Sequence, residues 1–205
     1  MIKVAILNYN IGNLASVKNA LQTFDNVSID IVCDADSIAS YDKVILPGVG
    51  AFENAMKHLK ESGMNEAIYS YIKSGKHILG ICLGMQLLFD KSYEFGEHLG
   101  LGLISGEVVK FGDSNLKIPH IGWNTIDIQQ DRGLLKGIKN REYFYFVHSY
   151  YVKVKYKENT IAICNYGENF SAIVQKDNIF GIQPHPEKSS NAGLKILNNF
   201  INLEM

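Results

Sequence analysis

The chain has 205 residues, 46% of them hydrophobic and 20% charged, with a formal net charge of -1. That length fits one domain, residues 1–205, with a sizeable core, and the near-zero charge argues against phosphate-backbone binding as the main activity, so no nucleic-acid partner is expected. Three cysteines, Cys33, Cys82 and Cys164, are odd in number and lack metal-type spacing, which argues against a disulfide framework or a metal site and fits a reducing cytoplasm. Residues 1–8 are too short an apolar run for a signal peptide, no stretch approaches the roughly 18 apolar residues of a membrane span, and neither repeats nor a low-complexity linker divide the chain.

In chain order, residues 2–7 read as a buried strand, after which Gly12-Asn13 opens a helix to about Phe24. Residues 28–32 and 43–46 read as strands. Residues 51–61 and 65–74 carry helical apolar spacing interrupted at Gly63, and 77–81 form a strand that ends at Cys82, followed by a helix-like apolar run. Alternating strands and helices predict an α/β fold, an open and mostly parallel sheet flanked by helices. Beyond residue 100 the pattern changes. Residues 106–111, 124–128, 143–147, 151–155, 160–164, 171–175 and 179–182 read as strands with short turns, an added mixed or antiparallel region. A closing helix covers 190–203, with Ser189 or Ser190 as its N-cap.

The chemistry centres on Ile81-Cys82-Leu83-Gly84, where a strand ends in Gly80-x-Cys82-x-Gly84. That is the grammar of a nucleophile elbow, a sharp strand-to-helix turn with the reactive side chain at its tip. A helix N-terminus favours thiolate over thiol. Taken alone, Cys82 reads equally well as a small buried hydrophobe. A catalytic thiol needs a base and a group to orient that base. The segment Gln183-Pro184-His185-Pro186-Glu187 supplies both, far away in sequence: His185 between two prolines, and Glu187 two residues on. Upstream, a strand runs into Pro47-Gly48-Val49-Gly50, whose glycines allow a peptide N–H to face a developing oxyanion; by itself this is an ordinary βα turn. Ligands of such sheets bind at the carboxyl ends of strands, which is where both segments fall.

These residues resemble the class I (triad) glutamine amidotransferases. Gly80-Ile81-Cys82-Leu83-Gly84-Met85-Gln86 is similar to their nucleophile motif, and His185-Pro186-Glu187 to their acid–base pair. Four further stretches, Tyr9–Asn13, Pro47–Gly50, Pro119–Asn124 and Phe146–Tyr150, together with the ending His185–Ser189, resemble the glutaminase subunits that feed ammonia to a (β/α)8-barrel cyclase in histidine biosynthesis. The resemblance spans essentially the whole chain. One departure is the opening: those subunits usually carry Asp-Tyr-Gly-x-Gly-Asn, whereas this chain has Asn8-Tyr9-Asn10-Ile11-Gly12-Asn13.

The resemblance implies a fold, a substrate and roles. Glutamine is hydrolysed to glutamate and ammonia by a Cys82-His185-Glu187 triad, without a cofactor. The oxyanion is held around Gly48, Val49, Gly50 and Leu83. Gln86, Gly50, Ser149 and Tyr150 contact glutamine. Asn13, His120, Trp123 and Tyr145 lie near the interface with the cyclase, in a heterodimer whose glutaminase is nearly silent alone. The rival expectations are a paralogous glutaminase serving a sugar-modifying amidotransferase, a thiol hydrolase such as a γ-glutamyl hydrolase working without a partner, and a non-catalytic binding module.

Overall fold

The computed structural model describes residues 1–9, 12–112 and 116–204. Asn10 and Ile11 of the N-terminal motif lie outside them. The first half alternates as expected: β1 (Ile2–Leu7), α1 (Leu14–Leu21), β2 (Val27–Val32), β3 (Lys43–Leu46), α2 (Phe52–Glu61), α3 (Met64–Lys73), β4 (His77–Ile81) and α4 (Leu83–Leu87). The break between α2 and α3 is Gly63, whose φ of 70° is left-handed and suits a residue without Cβ. The second half holds β5 (Phe89–Ser92), β6 (His98–Leu99), β7 (Ile104–Lys110), β8 (His120–Ile128), β9 (Tyr143–His148), β10 (Tyr150–Val154), β11 (Thr160–Tyr166), β12 (Glu168–Lys176), β13 (Ile179–Ile182) and α5 (Ser190–Ile201).

Among the described residues, nine strands form one sheet in the order β2-β1-β3-β4-β13-β12-β11-β8-β9. Its first five strands pair in parallel, and from β13 onward every pairing is antiparallel. β1 is buried on both faces, and its alternate side chains enter different cores. Val4 and Ile6 join Val17 and Leu21 of α1 and Leu197 and Phe200 of α5. Ala5 and Leu7 join Phe52, Leu59 and Ile68 of α2 and α3. A strand covered on both sides reads as a continuous apolar run, which is why Ile2–Leu7 lacks polar alternation. Each fully buried side chain of this size contributes about 1.5–3 kcal/mol.

A second sheet, β10-β7-β5-β6, packs beside the first. β5 and β6 are absent from the sequence reading, because Phe89–Ser92 and His98–Leu99 are short and carry no apolar period. Only Ser149 separates β9, in the large sheet, from β10, in the small one. The cap of α5 also differs from expectation. Ser189 occupies the N-cap position, but its side chain caps nothing. Instead its hydroxyl accepts from Tyr145 N at 3.0 Å and donates to the His185 carbonyl at 2.6 Å. Among the described residues no helix is long and apolar enough to cross a membrane.

Candidate active site

Cys82 sits where β4 meets α4 with φ 54° and ψ -110°. A side chain rarely adopts positive φ, and such strain at a strand–helix turn is characteristic of functional sites. The flanking glycines are required by contact. A Cβ on Gly84 would lie 1.8 Å from the Leu46 carbonyl oxygen, and one on Gly80 would lie 2.6 Å from the Gly84 carbonyl oxygen. The elbow is therefore pressed against the end of β3, and Pro47–Gly50, which follows β3, becomes its neighbour.

β13 runs parallel to β4 in the register Ile182↔Ile81, and Cys82 N donates to Ile182 O at 2.8 Å. This neighbour relation carries the turn 183–189 to the elbow across about a hundred residues of sequence. His185 Nδ1 lies 2.8 Å from Glu187 Oε1, with the two side chains 3% and 1% exposed. That contact assigns Nδ1 as the protonated nitrogen facing Glu187 and leaves Nε2, which has no hydrogen-bond partner among the described residues, to serve Cys82. Burial works against a charge on His185, but the Cys82 thiolate and the Glu187 carboxylate outweigh it and raise its pKa to about 10. Both acidic neighbours favour the imidazolium form, which would stand beside the sulfur as a proton donor.

The triad opens into a cavity of about 300 Å³ lined in part by Val49, Gly50, Cys82, Leu83, Gln86 and Glu94, with Ser149 and Tyr150 opposite. Leu83 is the first residue of α4, so its N–H belongs to those without an intrahelical acceptor. Gly50 has φ +97°, and among the described residues an added Cβ would meet nothing within 4 Å. Gly48 does not line the cavity. It lies behind, where an added Cβ would come within 2.8 Å of the Tyr9 hydroxyl and 3.0 Å of Gly84 N. Tyr9 is buried and donates to Pro47 O at 2.5 Å, so a phenol pins the loop from the rear.

Three of the expected residues have surroundings that the sequence does not show. Gln86 lines the cavity, but its Nε2 is committed to Tyr150 O at 2.9 Å and to Gln183 Oε1 at 3.1 Å, so only its oxygen is left for a ligand. His120 is 3% exposed and therefore not a contact surface. Its ring lies between Tyr166 and Phe146, with centroids at 4.0 and 4.8 Å, and its Nδ1 meets His148 Nε2 at 3.1 Å. Asn13 spends its side-chain oxygen on the cap of α1, accepting from Ser16 N at 3.5 Å. Trp123 and Tyr145 do face outward: they pair across β8 and β9, their rings meet edge to face at 6.0 Å, and Trp123 is 51% exposed. Ile121 and Tyr143 extend this apolar ridge on the same face.

Sequence reasoning missed three residues of the site. Glu94 brings a carboxylate to the cavity wall, steadied by Phe52 N, which donates to Oε2 at 2.7 Å. Tyr9 holds the loop. Gln183, fully buried, places Nε2 3.6 Å from Cys82 Sγ. Gln183 had a sequence signal in its place two residues before His185, and Tyr9 in opening the Tyr9–Asn13 stretch, whereas Glu94 had none.

An elbow thiol beside an imidazolium–carboxylate pair, at the carboxyl ends of a doubly covered parallel sheet, defines a thiol-dependent amide hydrolase. The family model for glutamine amidotransferase class-I matches residues 6–203, and the chain belongs to that family. Among its relatives, the imidazole glycerol phosphate synthase subunit HisH of Wolinella succinogenes is 50% identical, over 96% of this chain and 98% of that one. The subunit of the same name from Sulfurimonas denitrificans is 52% identical over 96% of each chain. The fold also matches a chain in the structure of PurLQS from Thermotoga maritima, with a TM-score of 0.78 at 19% identity over 98% of both chains.

Proposed function

We propose that this chain, acting as a single domain, is the glutaminase subunit of an imidazole glycerol phosphate synthase and delivers ammonia to a (β/α)8-barrel cyclase in the cytoplasm. The observation that carries the reading is the strained Cys82 elbow beside the His185–Glu187 pair, open to a cavity with a carboxylate wall. Full-length identity near one half to subunits bearing that name supports the choice of synthase.

The chemistry follows from the groups present. The α-ammonium of glutamine is complementary to Glu94, and the side-chain amide reaches Cys82. The thiolate attacks the amide carbon, and the oxygen that becomes negative is held by backbone N–H groups of Leu83 and of the Val49–Gly50 loop. Imidazolium Nε2 gives its proton to the departing nitrogen, which leaves as ammonia. Neutral His185 then takes a proton from water as it attacks the thioester, releasing glutamate and restoring the ion pair. Glu187 stabilises the charged ring and fixes its tautomer. Trp123 and Tyr145 are aromatic anchors for the cyclase, a role exposed aromatics fill at interfaces.

The test is glutamate release from glutamine by the protein alone, then with the barrel cyclase of the same organism and its ribonucleotide substrate. Strong stimulation that vanishes in Cys82→Ser, while ammonia-driven synthesis persists, is the expected result. High turnover without partner would point to a free-standing thiol hydrolase. No stimulation by an active cyclase would point to the sugar-modifying paralogue.

A further inference from the structure

Gln183 lies outside the triad, yet its carboxamide touches the nucleophile. It is fully buried, and it stands beside Cys82 because β13 and β4 run in register up to Ile182 and Ile81. The orientation of its amide is fixed by elimination. The Tyr150 carbonyl can only accept, so Gln86 must turn Nε2 toward it, at 2.9 Å. The same nitrogen donates to Gln183 Oε1 at 3.1 Å. That contact uses the oxygen of Gln183 and leaves its Nε2 aimed at Cys82 Sγ, at 3.6 Å. A thiol is a weak acceptor and a thiolate a strong one, so a fixed N–H donor in a buried setting lowers the energy of the charged form selectively.

We propose that Gln183 is a further catalytic residue, whose Nε2–H holds Cys82 as thiolate, and that Gln86 is its positioning residue, locking the amide in the donating orientation. The inference rests on the reading of Cys82 as nucleophile. It adds a donor that, unlike His185, keeps its proton throughout turnover. When His185 has passed its proton to ammonia, Gln183 still faces the sulfur. As water breaks the thioester, the carbon–sulfur bond cleaves, the electron pair returns to sulfur, and the same N–H stabilises the leaving thiolate.

The experiment is the pH dependence of Cys82 alkylation by iodoacetamide on the full chain, followed by peptide mass spectrometry so that exposed Cys33 does not contribute. In Gln183→Leu the inflection is expected to rise by about one to two pH units, the worth of one charge-assisted hydrogen bond. Gln183→Glu, which offers a carboxylate of the same shape, should raise it further. Gln86→Leu frees the Gln183 amide to rotate and should raise it by a smaller amount; this variant leaves Gln183 in place if Gln183→Leu fails to fold. An inflection unchanged in folded Gln183→Leu, or in Gln86→Leu when the former does not fold, overturns the proposal and leaves the triad standing. A wild-type Cys82 that titrates like a free thiol overturns the glutaminase reading, and the proposal with it.

Discussion

Replacing Tyr9 by Phe removes a single oxygen from the wall behind the cavity. That oxygen is buried and donates to Pro47 O at 2.5 Å. Burial and the nearby Cys82 charge push the phenol pKa upward, so the donor keeps its proton at any working pH. Without it, a buried carbonyl is left unpartnered at a cost of about 1–3 kcal/mol. At about 2–4 °C per kcal/mol for a chain of this size, Tm should fall by about 2–12 °C. The loop released is the one that presents Val49 and Gly50 to the cavity. A misplacement of about 1 Å in such a group costs up to roughly a hundredfold in rate. Glutaminase turnover in the complex should therefore fall by about ten- to a hundredfold, with ammonia-driven synthesis unchanged. Thermal melting and glutamate release test the two parts separately. A lowered Tm with full turnover would refute the coupling of Tyr9 to the loop, and an unchanged Tm would refute the hydrogen bond's contribution.

Gly84→Ala should cost more than about 4 kcal/mol in urea unfolding, since its Cβ would sit 1.8 Å from Leu46 O, whereas Gly50→Ala meets nothing within 4 Å among the described residues and should cost only about 1–2 kcal/mol for its positive φ; equal costs would refute the contact argument. His77, His120 and His148 are held neutral chiefly by burial, their pKa values lowered to about 4, 4 and 3. The unfolded chain protonates these three rings near pH 6.5 and the folded one does not, so their contribution to stability is full above that pH and falls on acidification, by about 1.4 kcal/mol per pH unit per histidine down to roughly pH 4, whereas the raised pKa of His185 acts in the opposite sense and only above pH 6.5. Urea midpoints at pH 7 and 5 check this, His148→Gln should flatten the slope, and equal midpoints would contradict it. Trp123→Ala is expected to weaken cyclase binding by about 2 kcal/mol or more, roughly thirtyfold by titration, with Tm unchanged; native affinity would remove it from the interface.

Much of this architecture was legible because parallel strands covered on both faces leave unbroken apolar runs. β1, β3 and β4 coincide with the expected 2–7, 43–46 and 77–81. The elbow was legible too, once the glycines flanking Cys82 were taken together with His185 and Glu187. The contacts that depend on topology were not. Nothing local says that Ile182 lies beside Ile81, so Gln183 stayed invisible as a neighbour of Cys82. Nor does any local pattern bring Tyr9 to Pro47, or Glu94 from the loop after β5 to the cavity. The burial of His120 follows a local rule instead. It lies on a strand with one face exposed, and alternation sends Ile121 and Trp123 outward and His120 in.

β9 is the outer strand of the large sheet, and an outer strand offers unpaired peptide groups to any other chain. At its middle, Tyr145 O accepts from His185 N at 2.9 Å and Tyr145 N donates to the Ser189 hydroxyl. The turn that carries the base thus doubles as a cover for the sheet edge. A substitution that loosens it, such as Ser189→Ala, would do more than slow a reaction: it would expose a sticky edge beside an apolar ridge, and the first symptom would be loss of solubility.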